Sequence, residues 1–247
     1  GQYTDDTQCT LAIAECLLAE ATTPRDIAAA ILAAYRRDPR GGYMPGFRKV
    51  LERVADADEL LATLRPNSWR SGAAMRAGPI GLLAETAAVH ALATTQARIT
   101  HDSPGGTGAA QGAALMVHYL LRGLGPREGL PRFLAAQAPD VDWHQPMVGR
   151  TDTSGEQIAR AALGVVLQAR SLTDGLVLSV AQGGDTDTVA TIAMAALAVA
   201  PGIARDLPEG LIGALERGPY GADYLMALDR QLAARFAAPI VSAGPRG

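Results

Sequence analysis

The sequence predicts an all-α protein with closely packed helices, and three observations lead there. Alanine supplies 48 of the 247 residues and aromatics only 4%; Ala favours helix and fits poorly in strands. Apolar residues recur at helical spacing behind recognisable N-caps. No run of alternating β-branched residues is bounded by hairpin turns. Hydrophobic residues make up 48% and charged residues 19%. That is the balance of a folded globular chain, long enough to bury a core without disulfides or a structural metal.

The elements follow in order. Leu11, Ile13, Ala14, Leu17 and Leu18 form the first apolar period, directly behind Thr4-Asp5-Asp6-Thr7. Thr23-Pro24-Arg25-Asp26 supplies an N-cap Thr, Pro at the first helical position and an acid at the third. That helix runs to about Arg37, where Pro39 and Gly41-Gly42 end it. Residues 41–48 read as a loop. Helices are expected over 80–92, over 107–121 with Thr107 opening it, and over 128–136. Ser154-Gly155-Glu156-Gln157 reads as a capping box that opens a helix to about Arg170. Two more are expected over 173–181 and 222–236, and an Ala-rich run covers 189–200. Two longer irregular stretches, 65–72 around Trp69 and 138–153 around Trp143 and His144, are functional candidates, since long loops in compact domains often are. No linker splits the chain, so residues 1–247 are expected to form one domain.

Composition also excludes function classes. Net charge is −3 without a Lys/Arg-rich block, so nucleic acid is not expected as a partner unless it is itself a modified substrate. No apolar run approaches the ~18 residues of a membrane span, and no signal peptide is apparent. Cys9 and Cys16 lie on one helix about 10 Å apart at ~1.5 Å rise per residue, too far for a mutual disulfide. Two free thiols suit a reducing cytoplasm. The oligomeric state is open.

Two acidic clusters dominate the sequence. Thr4-Asp5-Asp6-Thr7 precedes one apolar helix, and Gly183-Gly184-Asp185-Thr186-Asp187-Thr188 precedes another. The simpler reading of either is helix capping, because Asp and Thr favour N-caps and acids favour the positive end of the helix dipole. One cap, however, needs one side chain, and each cluster offers two acids and at least one hydroxyl. If both starts meet in space, up to four carboxylates crowd together, which raises their pKa values unless a cation neutralises them. An all-oxygen Asp/Thr set suits Mg²⁺, Mn²⁺ or Ca²⁺ rather than structural zinc, and two ions sharing the acids are plausible. Gly183-Gly184 lets the backbone approach a ligand.

Thr4-Asp5-Asp6-Thr7-Gln8 and the segment Gly183 to Thr188 resemble the two signature motifs of the ADP-ribosylglycohydrolase family. Ser71-Gly72-Ala73-Ala74-Met75-Arg76 resembles that family's Asn-Gly-Ser-Ala-Met-Arg stretch, with Ser71 where Asn is more common. Thr100-His101-Asp102-Ser103-Pro104 resembles its Thr-His loop. Order and spacing agree along essentially the whole chain. The resemblance implies a single compact orthogonal helical domain with a binuclear metal centre holding two divalent cations, usually Mg²⁺ and sometimes Mn²⁺. It implies Thr4, Asp5 and Asp6 as metal ligands from one side and Asp185, Asp187 and Thr188 from the other. It implies a cleft for ADP-ribose or an ADP-ribosylated protein, lined by Gly72, Met75, Arg76 and His101, with Ser103, Gly183 and Gly184 beside it. The activity implied is cleavage of the ribose C1″ bond to a protein side chain or other acceptor. Family members usually carry a Gly-Asp-Ala-Leu-Gly-type helix before the first motif; nothing in this chain matches it, so such a segment is expected to be missing here.

In that chemistry an oxocarbenium-like transition state is served by an activated water, and Asp6 or Asp187 is the expected general base. The helix start at Ser103 to Gly108 is a candidate for the diphosphate, with a plain Pro-Gly entry turn as the alternative. His101 is expected to touch ribose or diphosphate, and otherwise to be a structural hydrogen-bonder. Arg76 is a phosphate partner or a structural ion pair, and Met75 is equally core packing. Trp143 and His144 either stack on adenine or anchor a surface loop. The acceptor is expected to be read by 41–48 and 138–153. Two further readings accompany the hydrolase: a non-catalytic ADP-ribose-binding or crystallin-like protein, and a metal-dependent hydrolase of another nucleotide-like substrate.

Overall fold

Twelve α-helices follow one another in the computed structural model, which describes residues 1–147 and 149–236. They are α1 (Asp5–Leu18), α2 (Pro24–Arg37), α3 (Pro45–Arg53), α4 (Ala57–Thr63), α5 (Thr86–Arg98) and α6 (Pro104–Leu121), then α7 (Leu130–Gln137), α8 (Gly155–Gln168), α9 (Leu172–Ala181), α10 (Thr186–Val199), α11 (Glu209–Gly213) and α12 (Ala222–Phe236). Among the described residues no strand occurs; three isolated bridges join Asn67 to His101, Arg70 to Ser154 and Ser171 to Ala204. The fold is all-α, as the composition predicts.

Helix α6 is the axle. Every residue from Gly106 to Leu120 is buried, which a helix achieves only when it is apolar or small on all sides. Helices α5, α7, α8 and α10 pack around it. Small residues set the close approach. A Cβ on Gly112 would fall 2.1 Å from the Trp143 ring, and one on Gly81 would fall 2.5 Å from the Ala114 carbonyl of α6. Helix α1 lies against α2 and touches α10, so the two acidic helix starts face the same side. No helix among the described residues is long and apolar enough to cross a membrane.

Several expected boundaries move. The expected helix over 80–92 is instead a 3₁₀ turn, Gly78–Leu82, followed by α5 from Thr86. Pro79 and the tight contact of Gly81 with α6 favour the short turn over a continuous helix. Helix α6 opens at Pro104, with Ser103 as N-cap accepting from the Gly106 N–H at 3.2 Å; Thr107 turns its hydroxyl back to the Ser103 carbonyl at 2.8 Å. Ser154 forms no capping box, because its side chain makes no cap bond and its N–H is taken by Asp152 Oδ1. Helix α9 is capped by Ser171, one residue before its start. The 41–48 loop in fact runs into α3, whose Pro45 sits at its N-terminus. The Thr23 N-cap and the span of α12 stand as predicted, and Asp26 completes at Thr23 the capping box expected at Ser154. Both cysteines are free and buried on α1.

Candidate active site

The starts of α1 and α10 open onto one cleft of about 580 Å³, within the ~300–1,000 Å³ typical of small-ligand sites. Asp5 and Asp6 line it from α1, and Asp185, Asp187 and Thr188 from α10. Neither start is capped by a side chain. Thr4 precedes α1 in extended backbone with no cap bond, and its hydroxyl instead approaches Asp6 Oδ2 at 3.4 Å. Asp185 precedes α10, again with no side-chain cap bond. Capping therefore does not explain these carboxylates.

Their environment is costly. Burial raises Asp5 to about 7, and the neighbouring Asp6 charge adds to it. Burial likewise raises Asp6 to about 6; the Thr188 hydroxyl lowers it, while Asp187 and Asp185 raise it. Asp185 is raised by burial and by the Asp187 carboxyl beside it. Asp6 is 5% exposed, and its Oδ1 is buried without any hydrogen-bond partner. A buried carboxylate oxygen left unpaired costs ~1–3 kcal/mol or more, and a cation is the partner that repays a cluster of this sign. The donors are all hard oxygens, which fit Mg²⁺ or Mn²⁺. Among the described residues no three of the acidic, His or Cys side chains form a ready-made metal cluster.

The Thr-His loop and the 71–76 segment build the floor. Ser71–Ala73 is a 3₁₀ turn, and the Ser71 hydroxyl approaches Asp185 Oδ2 at 3.4 Å. Gly72 lets the His101 ring come close: a Cβ there would lie 3.0 Å from His101 Cε1. Arg76 is fully buried, with Nε donating to Gln96 Oε1 at 2.6 Å and Nη2 to the Gln96 carbonyl and Thr100 Oγ1, each at 2.9 Å. These bonds, through Nε and Nη2, brace it under the floor, and the residue also lines the cleft as expected. His101 Nδ1 lies 2.6 Å from Thr100 Oγ1. Burial, then the Arg76 charge, depresses the imidazole to about 3, so it is neutral at pH 7. Thr100 Oγ1 thus accepts from Arg76 and is shared with His101 Nδ1, while the Cε1–Nε2 edge of the ring faces Gly72. Met75 lines the cleft while 7% exposed.

Other expected residues sit behind the wall. Ser103 spends its hydroxyl on the Ser68 carbonyl at 2.9 Å and on the α6 cap, and is not a wall residue. Gly183 and Gly184 hold positive φ, +71° and +82°, and turn the chain into α10 rather than lining the cleft. A Cβ on Gly184 would fall 1.9 Å from the Thr151 carbonyl, so only glycine fits. Trp143 is fully buried, its Nε1 donating to the Ala138 carbonyl at 2.7 Å and its ring against Gly112. It anchors the 138–153 segment, and among the described residues of that segment only Thr153 lines the cleft.

The 41–48 segment does reach the cleft: Tyr43, Met44 and Phe47 line it, Val50 and Leu64 extend this apolar wall, and Arg65 and Arg70 line it too. What the sequence reading did not find is its helix: Pro45, Phe47, Val50 and Val54 carry helical spacing, but the preceding glycines read as a loop.

An all-helical protein with an acidic cleft between two uncapped helix starts is thus the class that fold and site define. A family model described as ADP-ribosylglycohydrolase matches residues 1–240, and the chain belongs to the ADP-ribosylglycohydrolase family. It is 26% identical over 219 residues to the ADP-ribosyl-[dinitrogen reductase] glycohydrolase of Rhodospirillum rubrum, covering 87% of this chain and 74% of that protein. It is 27% identical to human ADP-ribosylhydrolase ARH3, covering 77% of this chain and 68% of that protein. A solved structure titled "ADP-ribosylglycohydrolase-related protein complex" superposes with a TM-score of 0.73 at 28% identity, covering 96% of this chain and 82% of that one.

Proposed function

We propose that this protein hydrolyses the C1″ glycosidic bond between ADP-ribose and an acceptor, using two divalent cations held by Thr4, Asp5, Asp6, Asp185, Asp187 and Thr188. The observation that carries this reading is the unpartnered, buried Asp6 Oδ1 in a cleft where two acidic helix starts converge. Bound Mg²⁺ or Mn²⁺ would supply a more acidic water and would fix ribose hydroxyls.

The chain's own residues do the rest. Asp5, Asp6 and Asp185 are half-buried or buried and poorly solvated, so a bound cation would be what compensates their charge. Asp187 is the exposed member of the set and lines the cleft, so it is the carboxylate free to take a proton from water. His101, neutral and held by Thr100, lines the cleft and offers a ring nitrogen to the ribose or diphosphate without adding charge. The apolar wall from Tyr43 to Val50 excludes water from one side of the substrate. Both free thiols on α1 suit a reducing, cytoplasmic setting.

The test is release of ADP-ribose from arginine- and serine-ADP-ribosylated proteins in Mg²⁺, in Mn²⁺ and in EDTA. Metal-dependent release supports the reading, and the preferred protein identifies the acceptor. Absence of release with every metal, together with retained ADP-ribose binding, replaces it with a binding role.

A further inference from the structure

Outside the cleft, the charged network at the N-terminus of α1 has no evident role in core packing. Glu216 lies in the segment after α11 and reaches back to the start of the chain. It accepts from the Tyr3 N–H at 3.0 Å and from Arg40 Nη1 at 2.6 Å. Arg40 in turn donates through Nε to Asp38 Oδ2 at 2.8 Å, and its guanidinium stacks 4.0 Å over the Tyr3 ring. The Tyr3 hydroxyl donates to the same Asp38 oxygen at 3.2 Å. Gln8 of α1 ties the Asp38 carbonyl down at 2.7 Å. The Arg40 side chain is only 11% exposed.

The two residues after Arg40 touch Asp5. The Asp5 N–H donates to the Gly41 carbonyl at 3.0 Å. Gly42, at φ +97°, lies so close that a Cβ there would fall 1.9 Å from Asp5 Oδ1. The turn that Arg40 pins therefore forms the bed of the Asp5 carboxylate, while neither Arg40 nor Glu216 lines the cleft. Ion pairs near a surface contribute little stability; what two shared carboxylates and a stacked ring do define is the position of one turn.

We infer that Arg40 and Glu216 are positioning residues that hold the Gly41-Gly42 turn against Asp5 and so set the affinity of the site for its cation. This rests on the reading of Asp5 as a cation ligand. Residues that orient a ligand from behind typically change metal affinity by ~10–100-fold.

The experiment is Mn²⁺ binding, read from the free-ion EPR signal, by the full chain and by Glu216→Gln, Arg40→Gln and the double variant, alongside metal-free thermal unfolding. The expected result is a loss of about tenfold in Mn²⁺ affinity for each single variant. The double variant is expected to lose no more than either single, with the binding loss seen well below any change in unfolding midpoint. Unchanged affinity overturns the inference, as does a double-variant loss equal to the product of the singles. If a clamp variant does not fold, Tyr3→Phe, which removes only the hydroxyl bond to Asp38, takes its place: a smaller loss in the same direction supports the clamp, and unchanged affinity overturns it. Wild-type protein that binds no Mn²⁺ overturns both the metal reading and this inference. Wild-type binding with unchanged variants overturns this inference alone.

Discussion

The starts of α1 and α10 carry similar residues and meet at one cleft, but they are built differently. At α1, Asp6 is buried with an unpaired oxygen, and Asp5 lies against a turn held from both ends of the chain. At α10, Asp187 is exposed, and the approach runs over two positive-φ glycines resting on Thr151. Water can solvate Asp187, while Asp185 beside it is half-buried and Asp6 Oδ1 is buried. On the proposed reading the α1 side is the half that needs a cation and Asp187 is the member that handles water.

The sharpest break of that comparison is to neutralise one acid from each side. Asp6→Asn is expected to abolish Mn²⁺ binding and ADP-ribose release together. Asp187→Asn is expected to keep Mn²⁺ binding while kcat falls ~10²–10⁴-fold, the usual contribution of a general base. Calorimetric Mn²⁺ titration beside single-turnover kinetics separates the two, and equal loss of binding in both variants would erase the distinction.

The glycines of the α10 approach come next. Gly184→Ala places a Cβ into the Thr151 carbonyl and is expected to cost at least ~2–3 kcal/mol in urea unfolding. Gly183→Ala meets nothing nearer than 3.9 Å and should cost only the ~1–2 kcal/mol of left-handed backbone.

The α1 side also predicts an unusual pH response. Asp5 and Asp6 have folded values raised to about 7 and about 6, above their ordinary 3.8, so the folded state binds more protons between those limits. Stability of the metal-free protein should therefore rise, not fall, as pH drops from about 7 towards 4, by on the order of 2 kcal/mol. Chemical denaturation in EDTA across that window checks the sign, and Asp6→Asn should flatten the profile.

The smallest effect concerns a helix start that is capped. Ser103→Ala removes the bond to the Gly106 N–H and should cost ~1 kcal/mol of stability while leaving Mn²⁺ affinity unchanged. That outcome would set the α6 start, which is structural, apart from the two that are not.

Much of this was legible in the residues. Ala-rich periodicity and the absence of alternating strands were enough for the all-α class, because helix propensity and apolar spacing are local properties. The N-cap at Thr23, the limits of α12 and the pairing of Asp5-Asp6 with Asp185-Asp187 were also readable, the last because two hard-oxygen clusters are redundant as caps. The 3₁₀ turn at Gly78–Leu82, the missing cap at Ser154 and the burial of Trp143 were not. Gly81 and Trp143 depend on partners distant in sequence, the Ala114 carbonyl and Gly112, while at Ser154 the nearby Asp152 takes the N–H. By itself the sequence determined the all-α class, most of the longer helices, the family and the acids that belong together, since those follow from local pattern and residue chemistry. Only the tertiary structure decided which oxygen of which acid is left without a partner, that Arg76 is braced by Gln96 and Thr100, and that Glu216 reaches back to Arg40 and Tyr3, because burial and long-range contact are properties of packing that no local stretch of chain contains.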